Sequence, residues 1–220
     1  MNDEAALREA ICRIGRSLFD RGYVHATAGN ISVRLADGFL ITPTDACLGF
    51  LQPAMLARVD AEGRQIAGEP ASKTLALHRR IYAAESQAQA VLHTHSSELV
   101  ALTLSGCWQA DAVLPPITPY FVMKVGRVPL VPYHRPGDPA VGEWIARAIN
   151  HAQAAGAPLC AVLCDRLGPV VWHQTLDGAM AALEELEETA HLWRLAGDRK
   201  PAPLSDAQIE ELRAAFGARW

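Results

Sequence analysis

Residues 90–95 constrain the fold and the chemistry of this chain more than any other segment. Their sequence, Ala-Val-Leu-His-Thr-His, joins an apolar run typical of a buried strand to two histidines at its end. Side chains two residues apart on a strand point to the same face of a sheet. His93 and His95 can therefore bind one ion together, and first-row divalent metals favour imidazole ligands. The alternative interpretation is that they are two ordinary polar residues at a strand end.

The composition and charge of the chain exclude several classes of function. It has 220 residues, of which 50% are hydrophobic and 20% are charged, as in ordinary globular proteins. The formal net charge of -4 provides no basic surface for a nucleic acid. No apolar stretch is long enough to span a bilayer, and the acidic N-terminus differs from a signal sequence. Five scattered cysteines indicate reduced thiols, so we expect a cytoplasmic protein with neither a nucleic-acid nor a membrane partner.

Helical and strand patterns alternate along the chain. Apolar residues at helical spacing predict helices at 4–20, 72–84, 97–104, 138–153 and 175–193, with a last helix after Ser205. Strands are predicted at 31–35 and 39–41, as a pair within 52–68, and at 89–95, 128–132, 159–163 and 170–173. Residues 109–119 are expected to form a loop, and the acidic residues 184–188 are expected to face solvent. This alternation predicts one α/β domain over residues 1–220.

Three segments rich in hydrogen-bond donors precede the histidine strand. Residues 27–30 combine a glycine with an amide side chain, and residues 42–45 supply hydroxyls. Residues 72–74 begin a predicted helix, whose free N–H groups favour an anion, and they include one of only three lysines. Each segment alone is equally typical of an ordinary turn, hairpin or helix cap. Together they predict a phosphate site, if the fold brings them together, formed by Gly29, Asn30, Thr44, Ser72 and Lys73.

In order and spacing these segments resemble the class II aldolase/adducin family. The resemblance rests on residues 27–34, 41–44, the helix start at Ser72, 93–95 and 117–120, and it extends to 183–190. Within the family, residues 47–49, 118–126, 128–138 and 183–190 resemble the 3-oxo-tetronate 4-phosphate decarboxylase branch. The resemblance implies a three-layer α/β/α sandwich with a largely antiparallel central sheet. It also implies a homotetramer with active sites at subunit interfaces.

The resemblance also implies roles for individual residues. His93 and His95 match two ligands of a divalent metal ion, for which we expect Zn²⁺, with Mn²⁺ as the alternative. Tyr120 matches a tyrosine that reaches into the active site of a neighbouring subunit. The family's phosphate-binding positions are matched by Gly29, Asn30, Thr44 and Ser72.

The chain departs from the family pattern at two positions. The family usually places a catalytic glutamate shortly after the serine that corresponds to Ser72, and here Thr74 takes that position. The family's third metal-binding histidine is replaced by Leu167, which cannot bind a metal. His78 and His173 are the remaining candidates for a third protein ligand. Substrate oxygens and water could also complete the coordination.

The resemblance and these departures favour a lyase that acts on a small phosphorylated sugar acid. A 3-oxo acid loses CO₂ readily when a metal polarises its ketone, and the product here would be dihydroxyacetone phosphate. The reaction needs a proton only afterwards, so the loss of the usual glutamate suits a decarboxylase better than an aldolase. Lys73 would pair with the phosphate or the carboxylate, and Tyr120 or water would supply the proton. The alternatives are a sugar-phosphate aldolase or epimerase, and a non-catalytic adducin-like domain.

Overall fold

The computed structural model of the protein describes residues 4–199 and 201–220. Its helices are α1 (Glu4–Asp20), α2 (Leu75–Ala84), α3 (Ser97–Ser105), α4 (Pro119–Lys124), α5 (Pro139–Ala154), α6 (Leu176–Leu195) and α7 (Asp206–Phe216). Its strands are β1 (Asn30–Leu35), β2 (Gly38–Ile41), β3 (Ala57–Asp60), β4 (Gln65–Ala67), β5 (Ala90–His93), β6 (Leu130–Val131), β7 (Ala161–Cys164) and β8 (Gly168–His173). Predictions that touch residues 1–3 or Lys200 lie outside the described residues. Within those residues, we find no helix that combines the length and apolar character needed to cross a membrane.

The strands form one sheet in the order β4-β3-β2-β1-β5-β8-β7-β6. β6 and β7 are parallel, while the neighbouring strands elsewhere in this order run antiparallel. The sheet is therefore mixed, which confirms the α/β class and adds a parallel pair at one edge to the expected pattern. β6 is short and follows Pro129, which cannot donate to a ladder, so it is an edge strand as predicted.

Alternate residues of the central strands enter two separate apolar cores. On β5, Ala90 and Leu92 pack into one core with α1, α3 and α6, whereas Val91 packs into a second core with α2 and α5. On β8, Val171 belongs to the first core and Trp172 to the second. Because successive strand side chains point to opposite faces, the two cores lie on the two faces of the sheet. The helices therefore cover both faces, which gives three layers.

The helix predicted to start at Ser72 begins later, at Leu75, and its N-cap is Thr74. The backbone N–H of Ser72 donates to the carbonyl oxygen of Thr42 at 3.1 Å. Ser72 is therefore held beside the end of β2 and precedes the helix instead of capping it. Lys73 likewise lies before the first helical turn. The phosphate segment at 72–74 thus belongs to the connection from β4 to α2 and lies beside the end of β2.

The sequence patterns do not predict α4, although its start carries two helix signals. The side-chain oxygen of Thr118 accepts a hydrogen bond from the Phe121 N–H at 3.1 Å, and Pro119 occupies the first helical position. Both features are favoured at helix starts. The helix has only six residues, which is too short to show a helical period in its apolar residues.

The expectation that residues 184–188 face solvent is wrong for Glu187. Its side chain lies on α6 and is only 5% exposed. Its carboxylate accepts hydrogen bonds from the backbone N–H groups of Glu98 at 2.9 Å and Leu99 at 3.2 Å. Burial raises the pKa of this carboxyl group, and the two N–H bonds oppose that rise. Glu187 therefore caps the N-terminus of α3, shortly after the histidine segment.

We predict that Glu187→Ala lowers the free energy of unfolding by about 2 kcal/mol, because one buried and one part-buried N–H group at the start of α3 lose their acceptor. Urea denaturation followed by circular dichroism measures the change. The matched control is Glu188→Ala, whose side chain is exposed on the same helix and whose effect should stay within about 0.5 kcal/mol. Equal stability of both variants would contradict the capping role.

Candidate metal and phosphate site

A cleft of about 560 Å³ opens beside the end of β5. The three donor-rich segments identified in the sequence all line this cleft, together with the two histidines of the strand. The predicted site residues that it contains are Gly29, Asn30, Thr44, Ser72, Lys73, Thr74, His93 and His95. The fold therefore satisfies the condition that the phosphate prediction imposed, namely that these segments meet.

Backbone pairing explains why the segments meet. β1 and β5 are antiparallel neighbours, and their register places Asn30 directly opposite His93. The backbone N–H of Thr42, just after β2, donates to Ile31 O at 3.0 Å, which brings the second segment to β1. Ser72 in turn donates to Thr42 O, which adds the third segment. A continuous set of backbone hydrogen bonds thus connects all three segments to the histidine strand.

The two histidine rings lie close enough to share an ion, with their centroids 4.9 Å apart. The Nδ1 atom of His93 lies 2.8 Å from the carbonyl oxygen of Pro169. A carbonyl only accepts, so Nδ1 carries the proton and Nε2 is left as a free ligand atom. Burial lowers the pKa of His93 to about 4 and also lowers that of His95. Both rings are therefore neutral near pH 7, the form that binds metals.

A third protein ligand does not join these two histidines. Among the described residues, no group of three or more His, Cys, Asp or Glu side chains is arranged to hold a metal. His78 lies close by, but Ser32 Oγ at 2.7 Å and Asn30 Oδ1 at 2.6 Å occupy both of its ring nitrogens. His173 does not line the cleft. Neither candidate from the sequence is placed as a ligand, and Leu167 lines the cleft as an apolar residue.

The part of the cleft predicted to bind phosphate includes Gly29, just before β1, and Asn30, the first residue of β1. Gly29 has a φ of +85°, and a Cβ atom there would lie 2.9 Å from His93 O, so only glycine fits. Asn30 is buried, and its Oδ1 atom is hydrogen-bonded to His78. Its Nδ2 atom has no hydrogen-bond partner among the described residues. An amide donor that has no acceptor and borders a cleft is suited to binding an anion.

The side chains of residues 72–74 form the other wall of this part of the cleft. Ser72 Oγ and Thr74 Oγ1 are 2.9 Å apart, so the hydroxyl at the family's glutamate position bonds to a neighbouring hydroxyl. Lys73 is 82% exposed, and its Nζ atom lies 4.0 Å from a carboxylate oxygen of Asp45. An exposed pair at this distance is weak, so the ammonium group remains available to a ligand.

Tyr120 lies away from this cleft. It stands on α4, is 62% exposed, and borders a shallow depression with Tyr23, Lys124 and Glu184. It therefore does not reach the histidines of its own chain. Its predicted role in the active site of a neighbouring subunit stays a prediction.

The cleft has a further wall that the sequence motifs did not predict. The connection between β6 and α5 lines the cleft with His134, Arg135 and Asp138, and Arg80 of α2 lies nearby. Arg80 is held by two hydrogen bonds to Glu143, at 2.8 and 2.6 Å. The sequence signal is the run His-Arg-Pro-Gly-Asp between an edge strand and a helix, which places a cation in a loop.

Comparison with known proteins agrees with this geometry. Residues 9–194 match the family model described as the class II aldolase and adducin N-terminal domain. The chain belongs to the class II aldolase/adducin family. It is 57% identical to the 3-oxo-tetronate 4-phosphate decarboxylase of Cupriavidus necator over all of both chains. It is 41% identical to the protein of that name in Escherichia coli strain K12, over 96% of this chain and 97% of the relative.

A solved structure supports the same conclusion about the fold. The crystal structure of YgbL from Escherichia coli matches with a TM-score of 0.85 at 41% identity, over 96% of this chain and 99% of that one. The family resemblance inferred from residues 27–34, 93–95 and 117–120 is thereby confirmed. The class II aldolase fold expected from that resemblance is confirmed with it.

We predict that tag-free protein binds about one equivalent of a divalent metal and that His93→Ala/His95→Ala binds none, because the two imidazoles supply its protein ligands. Elemental analysis after dialysis measures the metal content. His173→Ala is the matched control, since this histidine lies outside the cleft, and it should keep the full metal content. An equal metal content in the double variant and the unmodified protein would contradict the prediction.

Proposed function

We propose that this protein is a carbon–carbon lyase that decarboxylates a 4-phosphorylated 3-oxo-tetronate to dihydroxyacetone phosphate and CO₂. The observation that carries the proposal is the 57% identity, over the whole of both chains, to the Cupriavidus necator decarboxylase. The cleft supports the proposal independently, because it places hydrogen-bond donors suited to an anion beside two neutral histidines. We further propose that the protein acts in the cytoplasm, as one domain per subunit of a homotetramer.

The phosphate group would bind where the three donor-rich segments meet. Asn30 offers an amide donor, Thr44 and Ser72 offer hydroxyls, and the N–H groups at Gly29 and at the start of α2 add backbone donors. The ammonium group of Lys73 supplies a positive charge at the exposed side of this phosphate site. These groups would hold the C4 phosphate and thereby orient the carbon chain toward the histidines.

His93 and His95 would hold a divalent ion, Zn²⁺ in our proposal with Mn²⁺ as the alternative, which supplies Lewis-acid polarisation of a ketone. The carbonyl of Pro169 orients the His93 ring, and burial keeps both rings neutral. Because no third protein ligand joins these two histidines among the described residues, the remaining ligand positions are open to substrate oxygens and water. A substrate with adjacent C2 hydroxyl and C3 ketone oxygens matches that requirement.

Thr74 at the family's glutamate position favours decarboxylation over aldol chemistry. A threonine hydroxyl is too weak a base to remove a proton from carbon. Loss of CO₂ leaves its electron pair on the substrate without any base, and one proton then completes the product. We propose that water or Tyr120 from a neighbouring subunit delivers that proton, and light scattering at micromolar concentration checks the assembly that this second source requires.

A substrate with two anionic groups also needs two cationic partners. Arg80 is engaged with Glu143, whereas the guanidinium of Arg135 makes no hydrogen bond or ion pair within the described residues. We infer that Arg135 and Lys73 together bind the two anionic groups of the substrate, its carboxylate and its phosphate. An arginine can pair with a carboxylate through two parallel hydrogen bonds, which suits Arg135 to that group.

Incubation of metal-loaded protein with a panel of 4-phosphorylated 3-oxo acids tests the proposal, with CO₂ and triose phosphate as readouts. We expect both products in equal amounts. Cleavage of sugar phosphates to an aldehyde, without CO₂, would instead establish an aldolase, which is the activity named for a 31% identical Methanocaldococcus jannaschii relative. Absence of both metal and turnover would favour a non-catalytic adducin-like domain.

We predict that Lys73→Ala lowers kcat/KM by roughly 10²-fold, since charge-assisted contacts to phosphate are among the strong ones. The melting temperature should not change, because the side chain is 82% exposed. Steady-state decarboxylation kinetics measure the effect. Arg147→Ala, an exposed cation outside the cleft, serves as the control and should keep the unmodified rate. Unchanged kinetics in Lys73→Ala would remove Lys73 from the site.

A further inference from the structure

A chain of buried hydrogen bonds lies directly behind Asn30. Its Oδ1 atom is 2.6 Å from His78 Nε2, and His78 Nδ1 is 2.7 Å from Ser32 Oγ. Ser32 Oγ is 2.8 Å from the hydroxyl of Tyr82. All four side chains are buried. Two of them lie two residues apart on β1 and two lie four residues apart on α2, so each pair shares one face of its element.

With Oδ1 of Asn30 as the acceptor, the donors and acceptors of these hydrogen bonds follow one direction. An amide oxygen only accepts, so Nε2 of His78 must carry the proton that bonds to Asn30. Nδ1 of the neutral ring then accepts, and the hydroxyl of Ser32 donates to it. The hydroxyl of Tyr82 donates to Ser32, either to Oγ at 2.8 Å or to the backbone oxygen at 3.0 Å. The protons on His78, Ser32 and Tyr82 therefore each have an acceptor.

This arrangement decides which end of the Asn30 amide faces the cleft. An asparagine side chain can present either its oxygen or its NH₂ group, and the two have nearly the same shape. With Oδ1 bonded to His78, the NH₂ group is the end without a protein partner among the described residues. With the proton of His78 on Nε2, a flipped amide would break the bond to His78 and turn an oxygen toward the anion.

We propose that His78, held by Ser32 and Tyr82, is a positioning residue that locks the Asn30 amide with its NH₂ group toward the substrate phosphate. The proposal rests on the phosphate site of the proposed function. It assigns His78 a role through Asn30, without contact between the histidine and the substrate. It also explains why a histidine that lies beside the metal-site residues is unavailable as a third ligand.

Two substitutions at His78 separate this role from a merely structural one. His78→Gln places an amide nitrogen near the former Nε2 and can still donate to Asn30, whereas His78→Asn places its amide near the former Nδ1 and cannot. We expect His78→Asn to weaken inorganic phosphate binding roughly 10-fold and to raise KM more than it lowers kcat. His78→Gln should restore binding to within about threefold. Calorimetry with inorganic phosphate and steady-state kinetics provide the two readouts.

The unmodified protein supplies a measurement that does not depend on any variant folding. Nitrogen-15 NMR of the histidine rings should show His78 as the Nε2-protonated tautomer, and the Nδ1-protonated form would overturn the proposal. Thr189→Val removes a buried hydroxyl on α6, away from the hydrogen bonds of His78, and controls for a general loss of stability. Equal weakening of phosphate binding in both His78 variants and this control would also overturn it.

Asn30→Asp distinguishes failure of this proposal from failure of the proposed function. It places a carboxylate beside the phosphate and should abolish phosphate binding. If Asn30→Asp binds phosphate normally, the phosphate site itself is wrong. If Asn30→Asp loses binding but both His78 variants retain it, the phosphate site stands and the positioning role of His78 is wrong.

Discussion

The antiparallel pairing of β1 with β5 is the constraint on which the rest of the site depends. Its register places Asn30 opposite His93, so one ladder brings the phosphate loop and the metal-binding strand together. Buried apolar pairs further along the ladder, such as Ile31 with Leu92, hold this register. A slip of one residue would turn every side chain to the opposite face. The hydrophobic core thus sets the geometry of the polar site.

The two halves of the cleft are oriented by different parts of the fold. A carbonyl of β8, at Pro169, fixes the His93 ring, whereas His78 of α2 fixes the Asn30 amide. Burial lowers the pKa of His78 to about 3 and that of His93 to about 4, so both rings stay neutral and act only through hydrogen bonds or ligation. The site is therefore arranged before any ligand binds, which lowers the cost of binding.

Local patterns in the sequence predicted the features that neighbouring residues determine. The spacing of His93 and His95 was sufficient to place two imidazoles together, and the family resemblance correctly grouped the donor-rich segments. The start of α2 and the burial of Glu187 could not be found in this way. The first depends on a hydrogen bond from Ser72 to Thr42, and the second on the start of α3, which is distant in sequence from α6. Contacts between distant segments leave no periodic signal.

The reaction that the cleft can catalyse depends on whether its carboxylates can act as bases. Asp138 caps α5 by accepting a hydrogen bond from Ala140 N at 3.0 Å, and Glu143 is paired with Arg80 through both oxygens. Asp45 lies beside Lys73 at the exposed mouth of the cleft. The hydrogen bonds from Arg80 lower the pKa of Glu143, so this carboxylate is a poor base for a carbon-bound proton. A reaction that forms its carbanion by releasing CO₂ requires no such base, which makes the replacement of the family's glutamate by Thr74 compatible with catalysis.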